Sequence, residues 1–173
     1  VRYINTMNTP SSSPSSSDII TTDLSIPLRH GGHSLFAREN ARKSAAVTRT
    51  DDDVSPIMIM IVVHGGPGLV DHTESYAGCN GWRRTIATPF FFYDQLGCGA
   101  SDKPVAFNYT LKYYVDELSQ LVKFVRERYF QQAACLLGHS WGGQVVLEYC
   151  THRANRPVIT CAIVSNSPFD EAT

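Results

Sequence analysis

The sequence GHSWGG at residues 138–143 constrains the fold more than any other stretch of the chain. The apolar residues 133–137 before it predict a short buried strand, and residues 144–150 after it predict a helix. A serine with a glycine two residues away on each side fits a turn too tight for a Cβ atom at either glycine. We therefore expect this turn to lift the Ser140 side chain above the carboxyl end of a sheet, as a nucleophile.

Other apolar segments predict that this strand and helix belong to a layered α/β domain. Between residues 111 and 125, apolar side chains recur every three or four positions, which indicates an amphipathic helix. Asn108 or Thr110 is its candidate N-cap. The uniformly apolar residues 57–63 indicate a strand buried on both faces. Residues 89–93 indicate a second buried strand, and residues 158–165 indicate another apolar strand. Strands that alternate with helices predict a mostly parallel, doubly wound sheet.

The amino-terminal half of the chain predicts a hairpin before this sheet. Residues 19–28 and 33–38 are strand-like, and a His-Gly-Gly turn separates them. Pro27 indicates an edge strand, because proline has no N–H to donate to a neighbouring strand. The polar residues 40–55 predict a loop.

Composition limits the partners and the compartment. The chain has 173 residues, 43% of them hydrophobic and 18% charged, with a net charge of −1, and nothing indicates nucleic acid or a membrane surface. Residues 1–18 are rich in serine and proline and predict a disordered tail, which leaves residues 19–173 as part of one core domain. No signal peptide is apparent, so we expect a cytoplasmic protein.

The cysteines predict free thiols rather than a disulfide framework or a metal site. They are odd in number and scattered, and no CxxC sequence occurs among them. Their positions are Cys79, Cys98, Cys135, Cys150 and Cys161. No metal and no cofactor is therefore expected.

Two glycine-rich loops follow predicted strands. HGGPG at residues 64–68 follows the strand 57–63, and its glycines let backbone N–H groups turn toward a ligand. A plain Gly/Pro turn is the alternative, which GHSWGG further along the chain disfavours. A second loop at residues 94–102 follows the strand 89–93. It lacks the GK[ST] sequence of a phosphate cradle, and we expect it to pack beneath the site.

Taken together, HGGPG at 64–68, DQLGCGAS at 94–101 and GHSWGG at 138–143 resemble the proline iminopeptidase-like serine peptidases of the α/β-hydrolase superfamily. The resemblance covers roughly residues 19–167, and the three motifs occur in the family's order and spacing. It implies an α/β-hydrolase fold. It also implies cleavage of a peptide or amide substrate after a small N-terminal residue, often proline, without a cofactor.

The resemblance also assigns roles to individual residues. Ser140 is the implied nucleophile, and the backbone N–H groups of Gly66 and Trp141 form the implied oxyanion hole. Each such donor stabilises a transition state by roughly 3 kcal/mol. The other implied residues of the site loops are His64, Gly65, Pro67, Gly68, Asp94 and Gln95.

In this fold the catalytic carboxylate and histidine follow the nucleophile in the chain. The resemblance implies that both lie beyond Thr173, so that the sheet is truncated after about its sixth strand and the cap domain and last strands are absent. His139 is expected to point away from Ser140, and His152 to lie roughly 18 Å along the helix. The strand 158–165 would then form an exposed apolar edge.

Two alternatives to an aminopeptidase stay open. Leu96 stands where bacterial iminopeptidases usually have arginine, which leaves room for an amidase or esterase of the same fold. A chain without a catalytic carboxylate and histidine could also be an inactive, truncated product.

Overall fold

The computed structural model describes residues 19–29, 31–42, 58–66, 88–129, 133–152 and 158–168. The strands in these ranges are β1 (Ile19–Pro27), β2 (Ser34–Arg42), β3 (Ile59–Val63), β4 (Phe90–Tyr93), β5 (Ala134–His139) and β6 (Ile159–Ser165). The helices are α1 (Leu111–Arg128) and α2 (Trp141–Thr151). The predicted tail 1–18 and most of the predicted loop, residues 43–55, lie outside the described residues.

All six strands form one sheet in the order β1-β2-β4-β3-β5-β6. The hairpin strands β1 and β2 are antiparallel, and β2 also lies antiparallel to β4. The other pairs, β3 with β4, β3 with β5 and β5 with β6, are parallel. The mostly parallel α/β sheet is therefore confirmed, and Pro27 ends the edge strand β1 as predicted.

Strand β2 is longer than the sequence predicts. It continues to Arg42, whereas the polar residues from Asn40 onward predict a loop. Asn40 pairs with Phe90 of β4, and its side-chain oxygen accepts a hydrogen bond from the Thr21 hydroxyl at 2.9 Å. The prediction was wrong because a buried polar side chain that finds a partner inside a sheet looks, in sequence, like a loop residue.

The apolar residues of β3 divide between the two faces of the sheet. Ile59, Ile61 and Val63 belong to a core cluster shared with α1 and α2. Met60 and Val62 belong to a second cluster on the opposite face. Every residue of β3 is buried, because the strand has neighbours on both sides and apolar side chains on both faces.

Helix α1 begins at one of its two candidate N-caps. The Thr110 hydroxyl accepts a hydrogen bond from the Tyr113 N–H at 3.2 Å, which selects Thr110 over Asn108. The buried apolar side chains follow the predicted helical spacing and are Tyr114, Val115, Leu118, Leu121, Val122 and Val125. Neither described helix combines the length and apolarity that crossing a membrane requires.

Two cysteines are bonded, contrary to the prediction of free thiols. Cys135 of β5 and Cys161 of β6 face each other in the parallel register, with Cα atoms 4.5 Å apart, and form a disulfide. The sequence prediction was wrong here because the pairing depends on strand register, which cysteine spacing does not reveal. Cys98 and Cys150 form no disulfide within the described residues, and Cys79 lies outside those residues.

Strand β6 lies at the edge of the sheet in the described part of the chain, where β5 is its single partner. Ile163 of β6 is 44% exposed, which is unusual for a large apolar side chain in a parallel sheet. The described residues thus contain the apolar edge expected for residues 158–165.

An ion pair between the exposed Arg128 and the buried Glu39 joins the end of α1 to β2. The Arg128 guanidinium donates to Glu39 Oε2 at 2.6 and 3.0 Å, and the Tyr129 hydroxyl also donates to the Glu39 carboxylate. Glu39 is 5% exposed. The hydrogen bond to Glu39 raises the pKa of Arg128, and burial raises the pKa of the Tyr129 phenol. Both donors therefore keep their protons.

Loss of Arg128 should destabilise the fold, because Glu39 would stay buried without its cation. For Arg128→Met we expect the free energy of unfolding to fall by about 2 kcal/mol. Lys123→Met is the matched control, since the Lys123–Glu127 pair is exposed, with 3.6 Å between its charged atoms. An exposed pair contributes roughly 0.2–1 kcal/mol. Urea unfolding measures both variants, and equal losses would contradict the role of burial.

Helix α1 also carries a buried acid, Glu117, among its apolar side chains. Glu117 Oε2 accepts a hydrogen bond from the backbone N–H of Leu96, in the loop after β4, at 3.0 Å. Its Oε1 has no hydrogen-bond partner among the described residues. Burial raises the pKa of Glu117 from its ordinary 4.5 to about 8, although the Leu96 bond lowers it. The carboxyl group is mainly protonated at neutral pH.

The raised pKa of Glu117 makes stability depend on pH. Since the folded pKa exceeds the unfolded one, this contribution is fully present below pH 4.5 and is lost as the pH rises to 8. Glu117→Gln keeps the shape but does not titrate. We expect its free energy of unfolding, relative to the native protein, to rise by up to about 1.4 kcal/mol per pH unit across this window.

Urea unfolding of the Glu117→Gln variant and the native protein at pH 5, 6.5 and 8 checks this prediction. A difference in unfolding free energy that does not change with pH would show that Glu117 titrates normally.

Candidate functional site

Ser140 occupies a strained turn between β5 and α2. Its backbone angles are φ 51° and ψ −122°, in a region that residues other than glycine rarely adopt. Hydrogen bonds hold the turn on both sides. The Ser140 N–H donates to the Ser165 carbonyl at 2.9 Å, and the Ser140 carbonyl accepts from the Gly143 N–H at 2.9 Å. The predicted strand, tight turn and helix are all present.

The two glycines that flank Ser140 are required by close backbone contact. A Cβ atom on Gly138 would lie 2.5 Å from the Gly142 carbonyl oxygen. A Cβ atom on Gly142 would collide with the carbonyl oxygen of Val63, at the end of β3. Both positions therefore lack space for a Cβ atom, as the sequence predicts. The absence of a Cβ atom at Gly142 lets the turn lie against the central strand β3.

The loop after β3 lies directly beside this turn. A Cβ atom on Gly65 would be 3.0 Å from Ser140 Cβ and 3.1 Å from the His139 carbonyl oxygen. The described residues of the predicted HGGPG loop are His64, Gly65 and Gly66, while Pro67 and Gly68 lie outside them. The structure therefore brings two of the three predicted motifs into contact.

His64 braces the loop through both nitrogens of its ring. Nε2 accepts a hydrogen bond from the Gln95 N–H at 3.0 Å, and Nδ1 lies 2.9 Å from the Gly65 carbonyl oxygen. These contacts assign the proton to Nδ1. The residue is 1% exposed. A buried imidazole with both nitrogens occupied serves as a structural support and not as a base for Ser140.

Gly66 and Trp141 carry the two backbone N–H groups that the sequence assigns to an oxyanion hole. Gly66 has a φ of 58°, and Trp141 is the first residue of α2, where N–H groups have no partner within the helix. Neither of these N–H groups donates to an acceptor within the described residues.

Gln95 connects the predicted loops with the turn. Its side-chain NH₂ donates to the His64 carbonyl at 2.9 Å, and its side-chain oxygen accepts from the Trp141 indole N–H at 3.2 Å. With the bond from its own backbone N–H to His64, three hydrogen bonds converge on one fully buried residue. The sequence assigns Gln95 to the site loops but gives no sign of these partners.

Asp94 organises its own loop. Its Oδ2 accepts a hydrogen bond from the Ala100 N–H at 2.7 Å, and its carbonyl accepts from the Ser101 hydroxyl at 2.5 Å. A Cβ atom on Gly99 would collide with the Asp94 carboxylate. The carboxylate thus fills the centre of the loop that was expected to pack beneath the site.

Helix α1 holds both backbone polar groups of Leu96, which belong to consecutive peptide groups. Glu117 accepts from its N–H, and the Tyr114 hydroxyl donates to its carbonyl at 3.3 Å. Burial raises the pKa of the Tyr114 phenol, which therefore stays protonated as a donor. The Tyr114 ring also meets the Trp141 ring edge-on, with centroids 5.9 Å apart. Glu117 was not among the site residues predicted from the sequence, where its signal is an acid within an apolar helical stripe.

The described residues include no base for Ser140. His139 is exposed and its ring lies near Gly65, while His152 follows the end of α2 and lies 3.8 Å from Glu148. No residue in the described ranges forms a hydrogen bond with the Ser140 hydroxyl. These ranges also hold no group of three His, Cys, Asp or Glu side chains arranged to bind a metal ion.

Comparison with known sequences identifies a family and individual proteins that are similar to this chain. Residues 55–172 match the family described as serine aminopeptidase, S33. The chain is 34% identical over 110 residues to a proline iminopeptidase of Heyndrickxia coagulans, and 35% identical over 114 residues to one of Saccharolobus solfataricus. These matches cover 63% and 64% of this chain. The chain spans about a third, 34%, of the length of each relative.

Solved structures share the fold. A proline iminopeptidase of Mycobacterium smegmatis superimposes with a TM-score of 0.63 at 22% identity, over 85% of this chain and 44% of that one. The α/β-hydrolase GrgF of a Penicillium species gives 0.62 at 18% identity, over 87% and 47%. Identities this low show the fold alone, but the sequence match covers more than half of the chain. The chain therefore belongs to the serine aminopeptidase S33 family and has the α/β-hydrolase fold.

Proposed function

We propose that the protein is a serine aminopeptidase that releases an N-terminal proline, or a similar small residue, through an acyl-enzyme on Ser140. The observation that carries the proposal is the strained Ser140 turn, with the glycine-rich loop at Gly65 in contact with it. The relatives named proline iminopeptidase support the substrate class.

In the proposed reaction Ser140 Oγ attacks the carbonyl carbon of the N-terminal residue. The hydroxyl proton passes to a histidine, and the carbonyl oxygen becomes an oxyanion. The N–H groups of Gly66 and Trp141 would donate to that oxyanion as its charge develops. The C–N bond then breaks, and the amine leaves with the proton. Water hydrolyses the resulting ester and restores Ser140.

The proposal requires a histidine and a carboxylate outside the described residues. His64 does not fill this role, because its two ring nitrogens are occupied by Gln95 and Gly65. A serine with a positive φ, in contact with a glycine-rich loop, nevertheless favours acyl transfer. The Ser140 backbone is strained, and the buried Gln95 and His64 hold the adjacent loop in place.

Ser140→Ala should abolish the activity of the protein expressed from the complete reading frame that contains this chain. We expect kcat for a proline anilide to fall by at least about 10⁴-fold, because the nucleophile is lost. Ser119→Ala is the matched control, since Ser119 is a half-buried serine of α1. Release of the aniline chromophore measures the rate.

The choice of substrates separates the proposed function from its alternatives. An unblocked proline anilide should be cleaved and an N-acylated one should not, because an aminopeptidase requires a free amino end. Cleavage of simple esters with no cleavage of either anilide would favour an esterase. Turnover of proline anilide that survives Ser140→Ala would refute the nucleophile.

A further inference from the structure

We infer that Glu117 is a positioning residue for this site: its buried carboxyl group fixes the Leu96 peptide and, through Gln95, holds the His64–Gly66 loop against Trp141. This inference deepens the proposed function, because it explains how the fold aligns the two N–H groups assigned to the oxyanion. Within the described residues, Glu117 makes no hydrogen bond to Ser140 or to either of those N–H groups.

Helix α1 anchors the two consecutive peptide groups on either side of the Leu96 Cα atom. The N–H of Leu96 belongs to the peptide that joins it to Gln95, and that unit is planar. The hydrogen bond to Glu117 at 3.0 Å therefore orients the carbonyl end of Gln95 as well. Tyr114, one helical turn before Glu117, holds the next carbonyl at 3.3 Å.

Gln95 connects the anchored backbone to the site. Gln95 makes two hydrogen bonds to His64, one through its backbone and one through its side chain, at 3.0 and 2.9 Å. Its remaining side-chain oxygen accepts the Trp141 indole N–H at 3.2 Å. A small rotation of the Gln95 backbone would therefore disturb both the His64–Gly66 loop and Trp141, the first residue of α2. A displacement of about 1 Å in such a site costs up to 100-fold in rate.

Glu117 is an acid at a position of α1 where the surrounding side chains are apolar. The neighbours of Glu117 on the buried face of α1 are apolar, as Leu118 and Leu121 show, and the packing does not need a carboxyl group there. Burying a carboxyl group in such surroundings is unfavourable. Among the described residues, the hydrogen bond from the Leu96 N–H is the contact of Glu117 that an apolar side chain could not provide.

The neighbouring acid of α1 does not share this role. Asp116 is exposed, and its carboxylate accepts a hydrogen bond from the side chain of Gln120 at 2.8 Å on the helix surface. Asp116 and Glu117 therefore form a matched pair of adjacent acids, one directed at solvent and one at the loop.

The kinetic test compares three variants of the protein expressed from the complete reading frame, on the proline anilide. Glu117→Met removes the acceptor, and we expect kcat to fall about 10- to 100-fold while KM changes less than about threefold, since oxyanion donors act in the transition state. Glu117→Gln keeps an acceptor and should restore kcat to within about threefold of the native enzyme. Asp116→Asn should leave both constants unchanged.

Three kinetic outcomes would overturn the inference. They are an unchanged kcat in a folded Glu117→Met variant, a loss confined to KM, and a Glu117→Gln variant as impaired as Glu117→Met. If Glu117→Met does not fold, Glu117→Asp replaces it, because a side chain shorter by one methylene withdraws the carboxyl group from Leu96. It should lose kcat to a similar degree.

A second readout does not depend on activity. The indole N–H resonance of Trp141, assigned with Trp141→Phe, reports the hydrogen bond to Gln95. It should shift or broaden in Glu117→Met and keep its position in Glu117→Gln and Asp116→Asn. An unmoved resonance in Glu117→Met would refute the positioning role even if the native protein were inactive. Inactivity with the expected shift would refute only the proposed function.

Discussion

The site depends on the contact between the serine turn and the end of the central strand β3. The Gly142 backbone lies against the Val63 carbonyl so closely that no Cβ atom fits between them. This contact places Ser140 beside the loop that continues from β3, and parallel pairing of β3 with β5 holds the two in register. The strain at Ser140 persists because the surrounding sheet and helix determine its position from several sides. Without that support the turn would relax.

The sequence predicted the features that local chemistry controls. Uniformly apolar strands, the amphipathic spacing of α1 and the glycines around Ser140 all follow from steric or hydrophobic rules that act over a few residues. The placement of the loops followed as well, because parallel strands present their carboxyl ends at one edge of a sheet. The described part of the site was therefore predictable as a set of segments.

What the sequence did not reveal are the partners of buried polar groups. Gln95 forms hydrogen bonds with residues 31 and 46 positions away in the sequence. The partner of Glu117 is 21 positions away, and the partner of Asn40 is 19 positions away. Such bonds depend on which faces meet after folding, and residue spacing carries no record of them. The disulfide between Cys135 and Cys161 was missed for the same reason, because strand register creates it. The hydrogen bonds of Gln95 and Glu117 hold the site loops together, and these are the contacts that the sequence does not reveal.

The ion pair between Glu39 and Arg128 has a consequence for the hairpin of β1 and β2. Its two residues are 89 positions apart, and they join the antiparallel hairpin to the last turn of α1. The β2–β4 register covers four residue pairs, whereas the hairpin's own register covers nine. The Ser34 and Phe36 N–H groups also donate hydrogen bonds to the loop after β4, and Leu35 of β2 lies in the core cluster shared with α1 and α2. The hairpin is therefore an integral part of the core, and the ion pair fixes the later part of β2 to the last turn of α1.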